Sequence, residues 1–261
     1  MSDNRPIGVY DSGIGGLTVF KKLSALLPSE NFIYYGDTVN IPYGTKSKEE
    51  LLKITKKTML FFAEKNVKAV VMACNTTSAA VYEDLKDTVD FILYPLVQNA
   101  CFQIAAMNLK SIGVLSTEVT ANSHAYKINL QKYSPNLSVY EHGCPSDWVK
   151  IVENNAIEDS ENQKIIKKHL NILLENRVEK IILGCTHYPY LRKVLSSLTG
   201  IDIFIDPSEY FANFIVKDLH ENNMLSERKI FDPQFFVTSN PEQFLISSQL
   251  FYKLDSVPFL I

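Results

Sequence analysis

The sequence carries one local pattern twice, and each copy ends in a cysteine. The first copy runs from Val67 through an apolar stretch to Ala73, Cys74, Asn75 and Thr76. The second runs from Val178 to Gly184, Cys185, Thr186 and His187. A short apolar run followed by small and polar helix-start residues reads as a buried strand feeding a helix. The repetition extends beyond the cysteines. Ile7-Gly8-Val9 returns 105 residues later as Ile112-Gly113-Val114, and Asn31–Tyr35 returns loosely as Asn136–Tyr140 at the same offset. The cysteines lie 111 residues apart, and Asp90–Pro95 returns 112 residues on as Asp202–Pro207. Four ordered matches at a nearly constant offset imply an internal duplication. A thiol at the same place in both copies suggests a site where one carbon is approached from two sides, with a proton removed on one face and delivered on the other.

Each half alternates strand and helix. In the first, strands are expected near 7–10, 31–35, 68–73 and 91–94, with helices near 15–27, 48–65 and 76–87. Ser47 and Glu50 form a capping-box pattern for the second of these helices. In the second half, strands are expected near 111–115, 137–141, 179–183 and 202–205. Such alternation implies parallel sheets covered by helices on both faces. The tail adds a helix, a strand around Phe235–Thr238 and a last helix. The expected architecture is α/β, with two pseudo-symmetric parallel-sheet domains and the active site in the cleft between them. The first domain takes residues 1–97 plus the returning segment 208–261, and the second takes 98–207.

Composition narrows the function classes. The net charge of −3 and the absence of a basic stripe argue against nucleic acid as a ligand. No run approaches the roughly 20 apolar residues of a membrane span. The first residues lead straight into an apolar strand without a signal-peptide pattern. Four scattered cysteines do not make a disulfide framework, so a reduced, cytosolic protein is expected. The chain admits a homodimer.

Ligands of open parallel sheets bind beyond the carboxyl ends of the strands. Polar signatures stand at those ends here: Asp11-Ser12-Gly13 with Gly15-Gly16, Gly36-Asp37 followed by Pro42-Tyr43-Gly44, Cys74-Asn75-Thr76-Thr77, and Cys185-Thr186-His187. None of the four arginines lies inside such a signature. An anionic ligand there is therefore small and held by backbone amides and hydroxyls, with Ser12, Thr76, Thr77 and Thr186 placed for it. The glycine run lacks both nucleotide-binding spacings. Cys185 and His187 make half a zinc site without a second ligand pair, so no metal is expected.

A lone strand-end cysteine is often a small buried residue. Two at helix starts read differently. The helix dipole lowers a thiol pKa by about one unit, and burial opposes it. Thiols poised near neutrality suit reversible proton transfer. Asp11 ends an apolar strand, where a carboxylate is costly to bury unless paired or used. His187 is a proton-tuning neighbour of Cys185. Cys101 reads as core and Cys144 as structural, while Glu153 by its own surroundings reads as a solvated helix charge. His124, His169 and His220 read as surface or core residues.

Together, Tyr10–Leu17, Pro42-Tyr43-Gly44, Ala73–Thr76 and Gly184–Pro189 resemble the glutamate racemase family, supported by Thr117-Glu118 with Thr120 and by Phe236–Thr238. The resemblance spans residue 6 to the end. It implies interconversion of L- and D-glutamate without pyridoxal phosphate or any other cofactor, in a bacterial cytoplasm, with D-glutamate feeding peptidoglycan. It also implies that Cys74 deprotonates D-glutamate assisted by Asp11. Cys185 would deprotonate L-glutamate, assisted by His187 and Glu153. Asp11, Ser12, Pro42, Tyr43, Gly44, Asn75, Thr76, Thr120, Thr186 and His187 would hold the substrate. This chain has Tyr10 where many members have Phe and Thr77 where many have Ala. Its Glu153 follows Cys144 by one residue more than is common. Two rival readings share these residues: racemisation of aspartate, and a hydrolase using Cys74 with His187.

Overall fold

The computed structural model describes residues 2–261. The first half runs β1 (Ile7–Asp11), α1 (Leu17–Leu26), β2 (Phe32–Gly36), α2 (Lys48–Glu64), β3 (Ala69–Met72), α3 (Asn75–Leu85), β4 (Ile92–Pro95) and α4 (Leu96–Ala105). The second half runs β5 (Ser111–Thr117), α5 (Glu118–Asn122), α6 (Ala125–Tyr133), β6 (Ser138–Cys144), α7 (Asp147–Glu153), α8 (Ser160–Leu174), β7 (Lys180–Gly184), α9 (Arg192–Thr199) and β8 (Phe204–Ile205). The tail supplies α10 (Pro207–Glu221), β9 (Gln234–Val237), α11 (Pro241–Ser248) and β10 (Phe259–Leu260). Every strand expected from the sequence is present; the two-residue β10 was not foreseen.

The duplication is visible in strand order. One sheet reads β10-β9-β2-β1-β3-β4 and the other β6-β5-β7-β8, and every pairing is parallel. The order 2-1-3-4 of the first half is thus repeated as 6-5-7-8 in the second. The tail strands extend only the first sheet, beside β2. We call the bodies built on the six- and four-stranded sheets the first and second lobes.

Central strands covered on both faces need apolar side chains throughout. Accordingly Ile7, Val9 and Tyr10 of β1, and Ala69–Met72 of β3, are fully buried. Asp11, which closes β1, is as buried as they are. α2 begins at the predicted capping box: the Ser47 hydroxyl accepts the Glu50 N–H at 3.2 Å, and the Glu50 carboxylate accepts the Ser47 N–H at 2.8 Å. This satisfies two of the four donors that a helix start leaves open. Among the described residues, no helix is long and apolar enough to cross a membrane.

Hydrogen bonds and close packing join the lobes. The Thr18 hydroxyl donates to the Thr186 carbonyl at 3.1 Å, Tyr126 donates to Asn75 Oδ1 at 2.6 Å, and Lys22 pairs with Asp206 at 2.6 Å. Gly15 shows how close they come. A Cβ added there would lie 2.2 Å from Thr186 Oγ1 and 2.6 Å from the His187 ring. Only a residue without a side chain fits that approach.

Candidate active site

In the first lobe β1 and β3 are neighbours, so the loops leaving them meet at one end of the sheet. Cys74 is the N-cap of α3, and its sulfur lies 3.9 Å from Ser12 Oγ at the end of β1. In the second lobe β5 and β7 are the equivalent neighbours, and Cys185 follows β7 directly. Both sulfurs open onto one cavity of about 270 Å³ between the lobes.

The two thiols have different surroundings. Burial pushes the Cys74 thiol up to about 12, and the nearby Asp11 carboxylate adds to the effect. The helix dipole at the N-cap does not overcome this, contrary to the expectation of a lowered thiol pKa. Asp11 is itself raised by burial, against the pull of His187 and of backbone N–H groups. Its Oδ2 accepts the Gly13 N–H at 2.9 Å, whereas its buried Oδ1 has no partner among the described residues.

Cys185 does not precede an α-helix. A 3₁₀ turn over Tyr188–Leu191 comes first, and α9 begins only at Arg192. The expectation of a helix dipole at this thiol therefore fails, because the chain after Cys185 first makes a tight turn. His187 stands in its place. Its Nδ1 lies 3.8 Å from Cys185 Sγ and 3.5 Å from Thr186 Oγ1, and its Nε2 lies 2.9 Å from Glu153 Oε1. Burial lowers the His187 pKa, but the contacts with Cys185 and Glu153 win and raise it to about 10. The imidazole is therefore protonated at neutral pH.

Glu153 is the last residue of α7, and its side chain is 28% exposed. A solvated helix charge was the reading from its local sequence. The partner 34 residues away, invisible locally, replaces that reading.

Ser12, Pro42, Tyr43, Gly44, Asn75, Thr76, Thr186 and His187 line the cavity. Asp11 and Thr120 lie behind the lining. Thr120 Oγ1 is 2.9 Å from Thr117 Oγ1, which in turn lies 3.0 Å from Thr76 Oγ1, so a chain of hydroxyls crosses from one lobe to the other. Asn75 Nδ2 is buried without a partner among the described residues. A buried amide donor left open at a cavity wall is poised for a ligand acceptor.

Tyr43 is held from behind: its hydroxyl donates to Asp37 Oδ2 at 2.5 Å and meets the Tyr10 hydroxyl at 2.8 Å. Asp37 also accepts from Asn40 and Thr238. It stood in the Gly36-Asp37 strand-end signature, yet no role was drawn for it from sequence. Cys144, read as structural, is buried but also lines the cavity, and burial raises its thiol. Glu118, named with Thr117 only as part of the resemblance, lines it too, as do Val149 and Lys150, which were not singled out. No local signal marks them, because their access to the cavity depends on the packing of the second lobe.

The family model described as Asp/Glu/Hydantoin racemase matches residues 7–214. The glutamate racemase of Carboxydothermus hydrogenoformans is 38% identical over 258 residues, covering 96% of this chain and 94% of that protein. That of Thermoanaerobacter pseudethanolicus is 35% identical over 250 residues, covering 95% and 93%. The crystal structure of glutamate racemase from Francisella tularensis subsp. tularensis in complex with D-glutamate is similar with a TM-score of 0.92. It is 33% identical and covers 99% of this chain and 98% of its own.

Proposed function

The chain belongs to the Asp/Glu/hydantoin racemase family and is an amino-acid racemase, and on that premise we propose that it interconverts L- and D-glutamate by two-thiol proton transfer. The observation that carries this reading is the opening of Cys74 and Cys185, from opposite lobes, onto one cavity. A planar carbanion can be protonated from either face. Inversion needs the base on one face and the acid on the other.

In the L-to-D direction Cys185 acts as a thiolate beside His187 and takes the α-proton of L-glutamate. The pair of electrons left on carbon then takes the proton of Cys74, which the buried setting keeps as a neutral thiol. The product is D-glutamate, with Cys74 as thiolate and Cys185 as thiol. That form is the one competent to bind D-glutamate and run the reaction backwards. Glu153 holds His187 from behind. Asp11 lies near Cys74, and its carboxylate favours the neutral thiol that donates the proton in this direction.

The α-hydrogen of an amino acid is a weak acid, so orientation and charge stabilisation must lower the barrier. The unpartnered Asn75 amide and the hydroxyls of Ser12, Thr76 and Thr186 support carboxylate and ammonium binding without an arginine clamp. Tyr43, braced by Asp37 and Tyr10, and Gly44 close the far wall. The D-glutamate so made would supply peptidoglycan synthesis in a bacterial cytoplasm.

Incubation with L-glutamate in D2O, followed by proton NMR and optical rotation, tests the proposal. We expect α-deuterium incorporation with loss of rotation and with no pyridoxal phosphate or metal added. Aspartate run in parallel should react far more slowly. Faster turnover of aspartate than glutamate would overturn the substrate assignment. Full activity in Cys185→Ser would overturn the two-thiol chemistry.

A further inference from the structure

The cavity wall carries charges that the two-thiol chemistry does not use. Among the described residues lining it, Lys150 is the only lysine or arginine, and Glu118 and Glu153 are the two carboxylates. Lys150 and Glu153 lie three residues apart on α7 and so share one face of that helix. Glu153 is committed to His187. Lys150 has a single ion pair among the described residues, Asp147 Oδ1 at 3.5 Å, and the two side chains are 67% and 60% exposed. A pair so open to water is held weakly and lets go readily.

The substrate argued above carries two carboxylates and one ammonium, a net negative charge. It must pass a wall that presents the Glu118 carboxylate as well as Glu153, whose charge His187 offsets. We propose that Lys150 is the recruiting cation of this cleft: it draws the anionic amino acid past Glu118 and Glu153 and holds its carboxylate at the mouth before the lobes seat it. This rests on the glutamate reading of the cavity. Lys150 transfers no proton and is not a catalytic residue. Its contribution is to substrate capture, where charge at a cleft mouth raises the local concentration of a counter-ion. An exposed lysine acts through a field that salt removes, since the screening length falls from about 30 Å at 0.01 M to about 3 Å at 1 M.

Steady-state racemisation by the wild type, Lys150→Met and Lys150→Arg, at low and high salt, tests this. Methionine keeps the stem and the helix propensity and removes only the charge. At low salt we expect Lys150→Met to lose about 3- to 10-fold in kcat/KM. The loss should fall on KM, with kcat within about twofold. The two enantiomers have equal free energy in water, so kcat/KM must drop by the same factor in both directions. At about 1 M salt the gap should close, and Lys150→Arg should behave as wild type throughout. Wild-type kinetics in Lys150→Met at low salt would overturn the proposal. So would a deficit that persists at high salt or falls on kcat, which would mark a packing role for α7. A wild type inert towards glutamate defeats the substrate reading instead, and the same comparison is then made on the anionic amino acid that it does racemise.

Discussion

The first lobe seats its thiol at the N-cap of α3, deep against a buried aspartate. The second seats its thiol ahead of a 3₁₀ turn, against a histidine that a glutamate holds from behind. The strand order is the same in both lobes, and the thiols occupy equivalent places after β3 and β7. What differs is the charge beside each sulfur. Cys74 has a carboxylate neighbour and is kept as a thiol, whereas Cys185 has an imidazolium neighbour. Duplication supplied two thiols that line one cavity, and the residues beside them then diverged.

The sharpest way to break this comparison is to remove one sulfur at a time. Serine at either position should lower racemisation by at least about 10²-fold, the usual scale of a lost acid or base. The surviving thiol should still work on its own face. Cys74→Ser should exchange the α-hydrogen of L-glutamate for deuterium without inversion, and Cys185→Ser should do so for D-glutamate. Exchange of the opposite enantiomer by either variant would reverse the assignment of faces.

Next in size is Gly15→Ala. The new methyl meets Thr186 and the His187 ring of the other lobe, so either the lobes part or the imidazole turns. A displacement of about 1 Å at a catalytic group costs about 10²-fold in rate. Activity should therefore fall by that order while circular dichroism stays that of the folded protein. Unchanged activity would mean that the lobes part at Gly15 without disturbing His187.

Glu153→Gln is milder. It keeps a hydrogen-bond partner for His187 but removes its charge. A loss of about tenfold in kcat is expected, equivalent to about 1.4 kcal/mol. The alkaline limb of the kcat profile should also move to lower pH as the imidazolium becomes easier to deprotonate. The corresponding limb in Asp11→Asn should move the same way but by less, since Asp11 acts on His187 through space without touching it, whereas Glu153 bonds it.

The smallest effect is on stability. His187 binds its proton more tightly folded, with a pKa of about 10, than unfolded, near about 6.5. The folded state therefore holds more protons than the unfolded one between those values, and stability falls as pH rises through that interval. The contribution is complete below about pH 6.5 and gone above about pH 10. Chemical denaturation from about pH 6.5 to about pH 7.5, below the range where unfolded thiols titrate, should show this decline. It should be flattened in His187→Asn. An equally steep decline in that variant would assign the proton to another group.

Much of the fold was legible because its signals are local. The strands of a covered parallel sheet must be apolar along their length, and those runs stand out within one to three residues of where the strands lie. The capping box at Ser47 and Glu50 was read from four adjacent residues and is present. The cysteine pattern worked because each copy joins a strand to its own loop. Glu153 failed as a local reading because its partner, His187, is brought to it by the packing of α7 beside the turn at Tyr188. The same holds for Lys150, and for Cys144 at the end of β6, whose access to the cavity no neighbouring residue announces.

By itself the sequence determined the duplicated α/β plan and the places of the two thiols, since hydrophobic periodicity and strand-to-helix punctuation act over a few residues. Only the tertiary structure decided what each thiol is. Cys74 is buried near the Asp11 carboxylate behind the strand end, whereas Cys185 lies beside His187, which Glu153 holds. Electrostatic energy is set by distance through space, and the chain order of Glu153 and His187 carries no trace of that distance until the second lobe has folded.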